Sequence, residues 1–406
     1  MDTLDKPGPT HRYPAPVHNP SPALPPHLKM PALTRRIRKV GAPIGVLILL
    51  GLIAGLIVIA LTALNPVGTA IGFVLSTVAI AVVVLAYVWL DRWEPEPPRL
   101  LVLAFLWGAS VAVIVSIVLG LWFETLVNPG AVETASVSFV SVALGAPLIE
   151  EAAKGAFLLV MLTGRRRHEM NSLTDCLVYA GLTGAGFAWL EDILYIANGE
   201  SLGEALVTAA MRLIMAPFAH PLFTTMFGIG VYFAMNRRGL LAKAGFLLLG
   251  YAGAVVMHGL WNASSLIGPE AYFGVYVLWM VPIFALAIVL GVNSRRREQR
   301  IVSAKLPGMV TAGLITPAEA TWLGSMRARK HAVAQARGIH GKPGATAVSA
   351  FAAQVVELAF VKDRIDRGFG DQRVHALLVE EAYAVHAARA AAPTLQWLAG
   401  YRTLGG

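Results

Sequence analysis

Apolar stretches of about 20 residues or more, separated by short polar loops, dominate the chain from about residue 41 to 292. At about 1.5 Å of rise per residue, such a stretch crosses the roughly 30 Å hydrocarbon core of a bilayer as a helix. The pattern predicts eight spans, at about 41–64, 68–90, 100–123, 136–163, 173–197, 206–234, 242–267 and 271–292. Lysine and arginine test this arrangement independently. Arg35, Arg36, Arg38 and Lys39 precede the first span, and Arg92 and Arg99 follow the second. Arg165, Arg166 and Arg167 follow the fourth, Arg237 and Arg238 the sixth, and Arg295, Arg296 and Arg297 the eighth. The intervening loops carry neither residue, so every positive cluster falls on one side, which the positive-inside rule makes cytoplasmic. The expected fold is all-α, a polytopic membrane helix bundle of about eight transmembrane helices with both termini in the cytoplasm. Heavy use of alanine, arginine, glycine and valine points to a bacterial plasma membrane.

The flanks are different material. Residues 1–33 are proline-rich without an apolar period, which predicts a disordered cytoplasmic tail. A signal peptide is not expected, because the first apolar run begins only near Gly41 and exceeds a normal leader core. Residues 301–406 are alanine-rich and amphipathic, and predict a small cytoplasmic helical domain whose partner the sequence does not name. Its helix signals are Thr316-Pro317, the stretch from Thr346 to Arg367 and the stretch from Gln372 to Ala391, with breaks at Gly338, Gly341 and Gly344 and at Gly368 and Gly370. Its histidines, His331, His340, His375 and His386, have no metal-ligand spacing and read as solvated. Residues 34–300 are left as the membrane domain.

Composition narrows the function classes. The 406 residues are 56% hydrophobic and only 14% charged, too little charge for a soluble protein of this size. The net charge of +9 would fit nucleic acid, but the basic residues stand beside the ends of apolar runs, so no nucleic-acid partner is expected. The single cysteine, Cys176, excludes an intrachain disulfide.

Chemistry is sought where polar groups are costly. An ionisable side chain at mid-bilayer costs about 2.5–3.5 kcal/mol on the insertion scale, so it marks a functional position by default. Glu150, Glu151 and Lys154 lie in the fourth span, Glu191 and Asp192 in the fifth, Arg212 and His220 in the sixth, and His258 and Asn262 in the seventh. Lys154 stands one turn beyond both glutamates and can neutralise part of the pair. Glu150 and Glu151 point about 100° apart, so one is expected to orient while the other reacts. His258 and Asn262 share a helix face. Carboxylates and imidazoles together can activate water and hold a developing oxyanion, and they are equally zinc ligands. No His-Glu-x-x-His pattern is present. Asp192 and Arg212 read as residues near the outer interface or snorkelling to it, and Glu94 and Glu96 as solvated loop charges. Pro147, Pro217 and Pro221 either open their helices for a substrate or kink them.

In these residues the chain resembles the PrsW family of bacterial intramembrane proteases, distant relatives of the CAAX prenyl endopeptidases. The resemblance is carried by Glu150-Glu151-x-x-Lys154, Phe187-x-x-x-Glu191, His220, His258-x-x-Trp261-Asn262 and the loop Asp91-Arg92-Trp93-Glu94-Pro95-Glu96-Pro97, and covers roughly residues 70 to 292. It implies hydrolysis of a peptide bond in a membrane-anchored protein, with regulators such as anti-sigma factors among the family's substrates. Asn262 stands where the family often has aspartate, which suits an oxyanion site and disfavours a carboxylate ligand there. The family is often labelled metalloprotease, while its prenyl endopeptidase relatives support a glutamate-activated water without metal, and the metal-free mechanism is favoured here. Glu150 or Glu151 is the base, Glu191 and His220 position the water, His258 with Asn262 stabilises the oxyanion, and Lys154 tunes the glutamate pair. If zinc is bound instead, its ligands are expected among Glu151, Glu191, His220 and His258. Two other readings stay open, a proton- or ion-coupled transporter, which would share midplane acids and broken helices, and an inactive protease homologue serving as a scaffold.

Overall fold

The computed structural model describes residues 41–129, 137–370 and 372–398, so the expectation for residues 1–33 lies outside the described residues. Among the described residues the chain is all-helical, with no strand. It divides into two compact units, one running Ile37–Glu298 and one that includes Gln299–Gly406.

The first unit contains α1 (Ile44–Leu64), α2 (Pro66–Leu90), α3 (Pro98–Val127), α4 (Ala146–Met161), α5 (Leu173–Ala197), α6 (Leu202–Ala209), α7 (Ala219–Met235), α8 (Leu240–Ile267) and α9 (Pro269–Thr311), the last running on past the unit's end. Local sequence sets the starts of these helices. Asn65 caps α2 by accepting from the Gly68 amide at 2.9 Å, with Pro66 preset in the first turn. Ser172 and Asp175 form a reciprocal capping box on α5. α5 is the central post, with 89% of its most apolar stretch buried against neighbours that include α2, α3 and α7. Two glycines allow the closest of these approaches. A β-carbon on Gly186 would lie 1.9 Å from the Phe105 carbonyl oxygen, and one on Gly108 2.0 Å from that of Thr183, so α3 and α5 touch backbone to backbone.

Among the described residues eight helical stretches are long and apolar enough to cross a membrane, and the chain is a multi-pass membrane protein. Seven coincide with predicted spans. The set departs from expectation in two places. α4, preceded by the wide turn Ser141–Gly145, is short and carries three charges, so it does not stand out by hydropathy, although it packs against α3, α5, α7 and α8. Met326–Phe369 does stand out, but it lies in the second unit, and 56% of its most apolar stretch is already buried there, against 11% for α1.

Two further expectations are corrected. The predicted continuous span at 206–234 is broken: α6 continues through the wide turn Ala210–Met215, the backbone leaves helical geometry at Ala216 (φ −126°, ψ 37°), and α7 restarts at Ala219. Pro217 and Pro221 supply no amide hydrogen for a continuous ladder, which is why the helix parts here. In the loop before α3, Glu96 is not solvated but only 5% exposed, because the Tyr179 hydroxyl donates to its carboxylate at 2.6 Å and the Asp91 carboxylate accepts from its amide at 2.9 Å.

In the second unit, Thr316-Pro317 caps α10 (Pro317–Leu323) with Glu319 closing a capping box. The chain then breaks at Gly324, and α11 (Met326–Arg364) starts from a Ser325 cap and kinks at His340 and Gly341 (φ +65°), where only glycine adopts the turn without strain. The break at Gly324 is one that the glycines at 338–344 did not predict. α12 (Gln372–Ala390) and α13 (Leu395–Leu398) follow, and Trp322, Val348, Phe351, Val355 and Leu358 form a dry core.

Glu96 carries a pH signature. Burial, then the nearby Asp175 carboxylate, pushes it well above its ordinary value of 4.5, against the hydrogen bond from Tyr179. The stability tied to its protonated form is full below that ordinary value and is lost as pH rises towards and through the folded value. Glu96→Gln, which stays neutral, is expected to unfold about 2–5 °C higher than wild type near pH 8. The gap should close on acidification to about pH 4.5, and thermal unfolding across pH in detergent checks it.

Candidate active site

The fold brings the intramembrane charges of four helices onto one point. Its centre is the ammonium of Lys154, which is 0% exposed. It donates to Glu151 Oε1 at 2.7 Å, to Glu150 Oε2 at 3.3 Å and to His220 Nδ1 at 3.0 Å, so all three of its hydrogens have acceptors. The Phe187 ring closes the remaining side, 4.0 Å from the ammonium to its centroid. Helical spacing places the two glutamates around this cation, and α4 is itself anchored by backbone: Tyr251 donates to the Leu148 carbonyl at 2.6 Å and Trp107 to that of Ala153 at 3.0 Å.

The two glutamates differ sharply. Glu151 is fully buried, and both of its oxygens are engaged. Oε1 accepts from Lys154 and from His258 Nδ1 at 3.0 Å, and Oε2 accepts from the Thr224 hydroxyl at 3.0 Å. Glu150 accepts from Lys154 alone among the described residues, and its Oε2 faces His258 Nε2 across 3.8 Å.

The donors also fix the histidine tautomers. An ammonium can only donate, so His220 Nδ1 accepts from Lys154, and its proton sits on Nε2, which donates to Glu191 Oε2 at 2.6 Å. His258 donates from Nδ1 to Glu151, which turns Nε2 toward Glu150. Phe223 stacks on the His258 ring at 4.8 Å between centroids, and the two histidine rings meet edge to face at 5.0 Å. The same Glu191 oxygen also accepts from Arg212, whose Nε bonds Asp192. Asn262 lies one turn beyond His258 and donates one amide hydrogen to the Val142 carbonyl at 3.1 Å.

Of the residues picked out from sequence, Glu150, Glu151, Lys154, Glu191, His220 and His258 thus form one network, and Asn262 stands at its edge, bonded to backbone. Asp192 and Arg212, read as residues near the outer interface or snorkelling to it, prove to be paired: the guanidinium bonds Glu191 and Asp192, and Asp192 is only 5% exposed. Thr224 was missed. Its signal was position alone, one turn after His220 on the same face of α7.

The comparisons with known proteins bear on the same stretch. The model of the PrsW family intramembrane metalloproteases matches residues 96–287. The chain is also 31% identical over 176 residues to Protease PrsW of Geobacillus kaustophilus (strain HTA426), covering 42% of this chain and 72% of that protein. The chain belongs to the PrsW family. No solved structure matches it. The matched stretch contains every member of the network, from Glu150 to Asn262, and leaves out the second unit.

The family's description names a metal, so the donor set of this PrsW member is the relevant test. Glu150, His220 and His258 each offer one ligand atom, all within 4.8 Å of one another, and two imidazoles with one carboxylate are a catalytic zinc set. As arranged, however, they do not fit an ion. Both nitrogens of His220 are engaged, and the Lys154 ammonium already lies against His220 Nδ1 and Glu150 Oε2. This cation would have to withdraw before a second could enter.

Proposed function

We propose that this chain hydrolyses a peptide bond in a membrane-anchored protein, with Glu150 as the base that activates water. The observation that carries the reading is the contrast between the glutamates: Glu151 is saturated by Lys154, His258 and Thr224, whereas Glu150 has carboxylate capacity to spare beside His258 Nε2. A catalytic base needs a free lone pair at the reacting water, and an orienting group needs the opposite.

In this scheme a water bound between Glu150 and His258 loses a proton to Glu150 as its oxygen attacks the scissile carbonyl carbon. The tetrahedral oxyanion is stabilised by the second amide hydrogen of Asn262 and by His258 in its doubly protonated form, which donates from Nε2 while Nδ1 stays bonded to Glu151. The carbon–nitrogen bond then breaks, Glu150 returns the proton to the leaving amine, and a carboxylate and an amine result. Lys154 keeps the two glutamates from repelling each other, and Glu191 holds His220. The break between α6 and α7 opens backbone beside this centre, a geometry that membranes tolerate only where protein or a wet cavity meets the freed groups. The substrate class follows from the site's depth and the family: a single-pass protein, with membrane-bound regulators the leading candidates. The positive clusters support a plasma-membrane orientation with both termini and the second unit in the cytoplasm.

A metal-assisted reaction is the second reading, favoured by the convergence of Glu150, His220 and His258. It requires Lys154 to leave His220, and no step above runs through a metal.

The first test is proteomics of membrane fractions from cells expressing wild type, Glu150→Gln or His258→Ala at matched levels. The same few single-pass proteins should accumulate uncut with both variants, cleavage falling at least ~100-fold. Unchanged membrane proteomes with folded variants would sink the protease reading. The metal question has its own measurement. Purified protein should contain less than about 0.1 zinc per chain and keep its activity in chelator, since Lys154 supplies the positive charge that a zinc site would take from the ion. Stoichiometric zinc lost together with activity would establish the metal reading.

A further inference from the structure

Arg212 takes no part in the scheme above, yet it is a cation inside the sixth apolar stretch, where an unpaired charge costs about 2.5–3.5 kcal/mol. It spans two adjacent carboxylates on α5: Nη2 bonds Glu191 and Nε bonds Asp192, while the guanidinium lies over the Tyr195 ring, 4.1 Å to its centroid. Neighbouring residues on a helix diverge by about 100°, and the planar fork reaches both from separate nitrogens in a fixed geometry that a freely rotating ammonium does not impose.

The oxygen of Glu191 that accepts from Arg212 is also the one that accepts from His220 Nε2. Arg212 precedes the helix break at Ala216–Phe218, and His220 follows it. Glu191, on a separate helix, therefore clasps the two halves together across the break. No helical ladder sets the rotation of α7 relative to α6, so the clasp does. The chain Asp192–Arg212–Glu191–His220 ends on the Lys154 ammonium, 3.0 Å from His220 Nδ1.

We infer that Arg212 is a positioning residue: it fixes the Glu191 carboxylate so that His220 is held in one tautomer with Nδ1 turned to Lys154. The part of this inference that concerns cleavage rests on the protease reading; the tautomer does not. Asp192 holds the far arm of the fork and acts only through Arg212.

The test uses the full chain with Arg212→Lys, which keeps the charge but loses the fork, and with Asp192→Asn, which keeps Arg212 and removes the charge that holds its other arm. Two readouts are taken beside the unfolding temperature. The first is the ¹⁵N imidazole resonances of His220 in detergent-solubilised protein, assigned by comparison with His220→Gln. The second is cleavage in cells of the proteins that accumulate with Glu150→Gln. In Arg212→Lys the resonances should move from a single Nε2–H tautomer to an average of both, and cleavage should slow at least ~10-fold, with unfolding shifted by no more than a few degrees. Asp192→Asn should move both readouts in the same direction and less, and it decides the matter if Arg212→Lys does not fold. A fixed tautomer and wild-type cleavage in the folded variants would overturn the inference and leave Arg212 as charge compensation alone. If Glu150→Gln accumulates nothing, the protease reading falls, and the resonances still decide whether Arg212 positions His220.

Discussion

A single buried ammonium sets the geometry of this membrane centre. Four carboxylates, Glu150, Glu151, Glu191 and Asp192, lie within a bundle whose fixed positive charges there are Lys154 and Arg212. Carboxylates taken from water repel one another and lose hydration, so their approach depends on what stands between them. Lys154 stands between Glu150, Glu151 and His220, and Arg212 between Glu191 and Asp192. These paired charges sit where water is otherwise scarce, which gives a reason for building the cluster from four helices rather than on one.

The same constraint explains why the helices need not be regular. α4 is short and enters from a wide turn, and the helix that carries Arg212 and His220 is interrupted between them. Each irregular piece is tied to the centre by a side chain: α4 by Lys154 and its glutamates, and the start of α7 by His220 and Thr224. α2, α3 and α5 frame the site through close glycine contacts, α3 carrying a wide turn of its own at Gly108–Ala112.

Much of this was legible in sequence because the bilayer makes polar residues conspicuous. The Glu150, Glu151 and Lys154 spacing predicts a self-neutralising turn, and the histidines and Glu191 stand out as costly residues at overlapping depth. What escaped was direction. Hydropathy marks Arg212 as a charge near or reaching for the outer interface and does not show that it pairs with two α5 carboxylates. Thr224 is unremarkable in a span until Glu151 meets it. The sequence predicts unequal roles for Glu150 and Glu151, but which one is saturated with hydrogen bonds depends on where α7 and α8 present Thr224 and His258. Glu96, in a loop that reads as solvated, is covered by Tyr179 from a helix more than eighty residues on. In the second unit the capped start at Thr316 was readable, whereas Gly324, an ordinary glycine by sequence, ends the first helix early.

The account turns on Lys154 being the cation around which the glutamates assemble, and one comparison tests that most directly. Abundance in the membrane and thermal unfolding would be measured for Lys154→Met and for the double variant Glu151→Gln/Lys154→Met. The account predicts that the single change destabilises the protein severely, by about 3–5 kcal/mol, because it strands a buried carboxylate. The double variant should recover most of that stability while remaining unable to cleave. Wild-type stability and cleavage in Lys154→Met alone would contradict it, and would return the centre of the site to another cation.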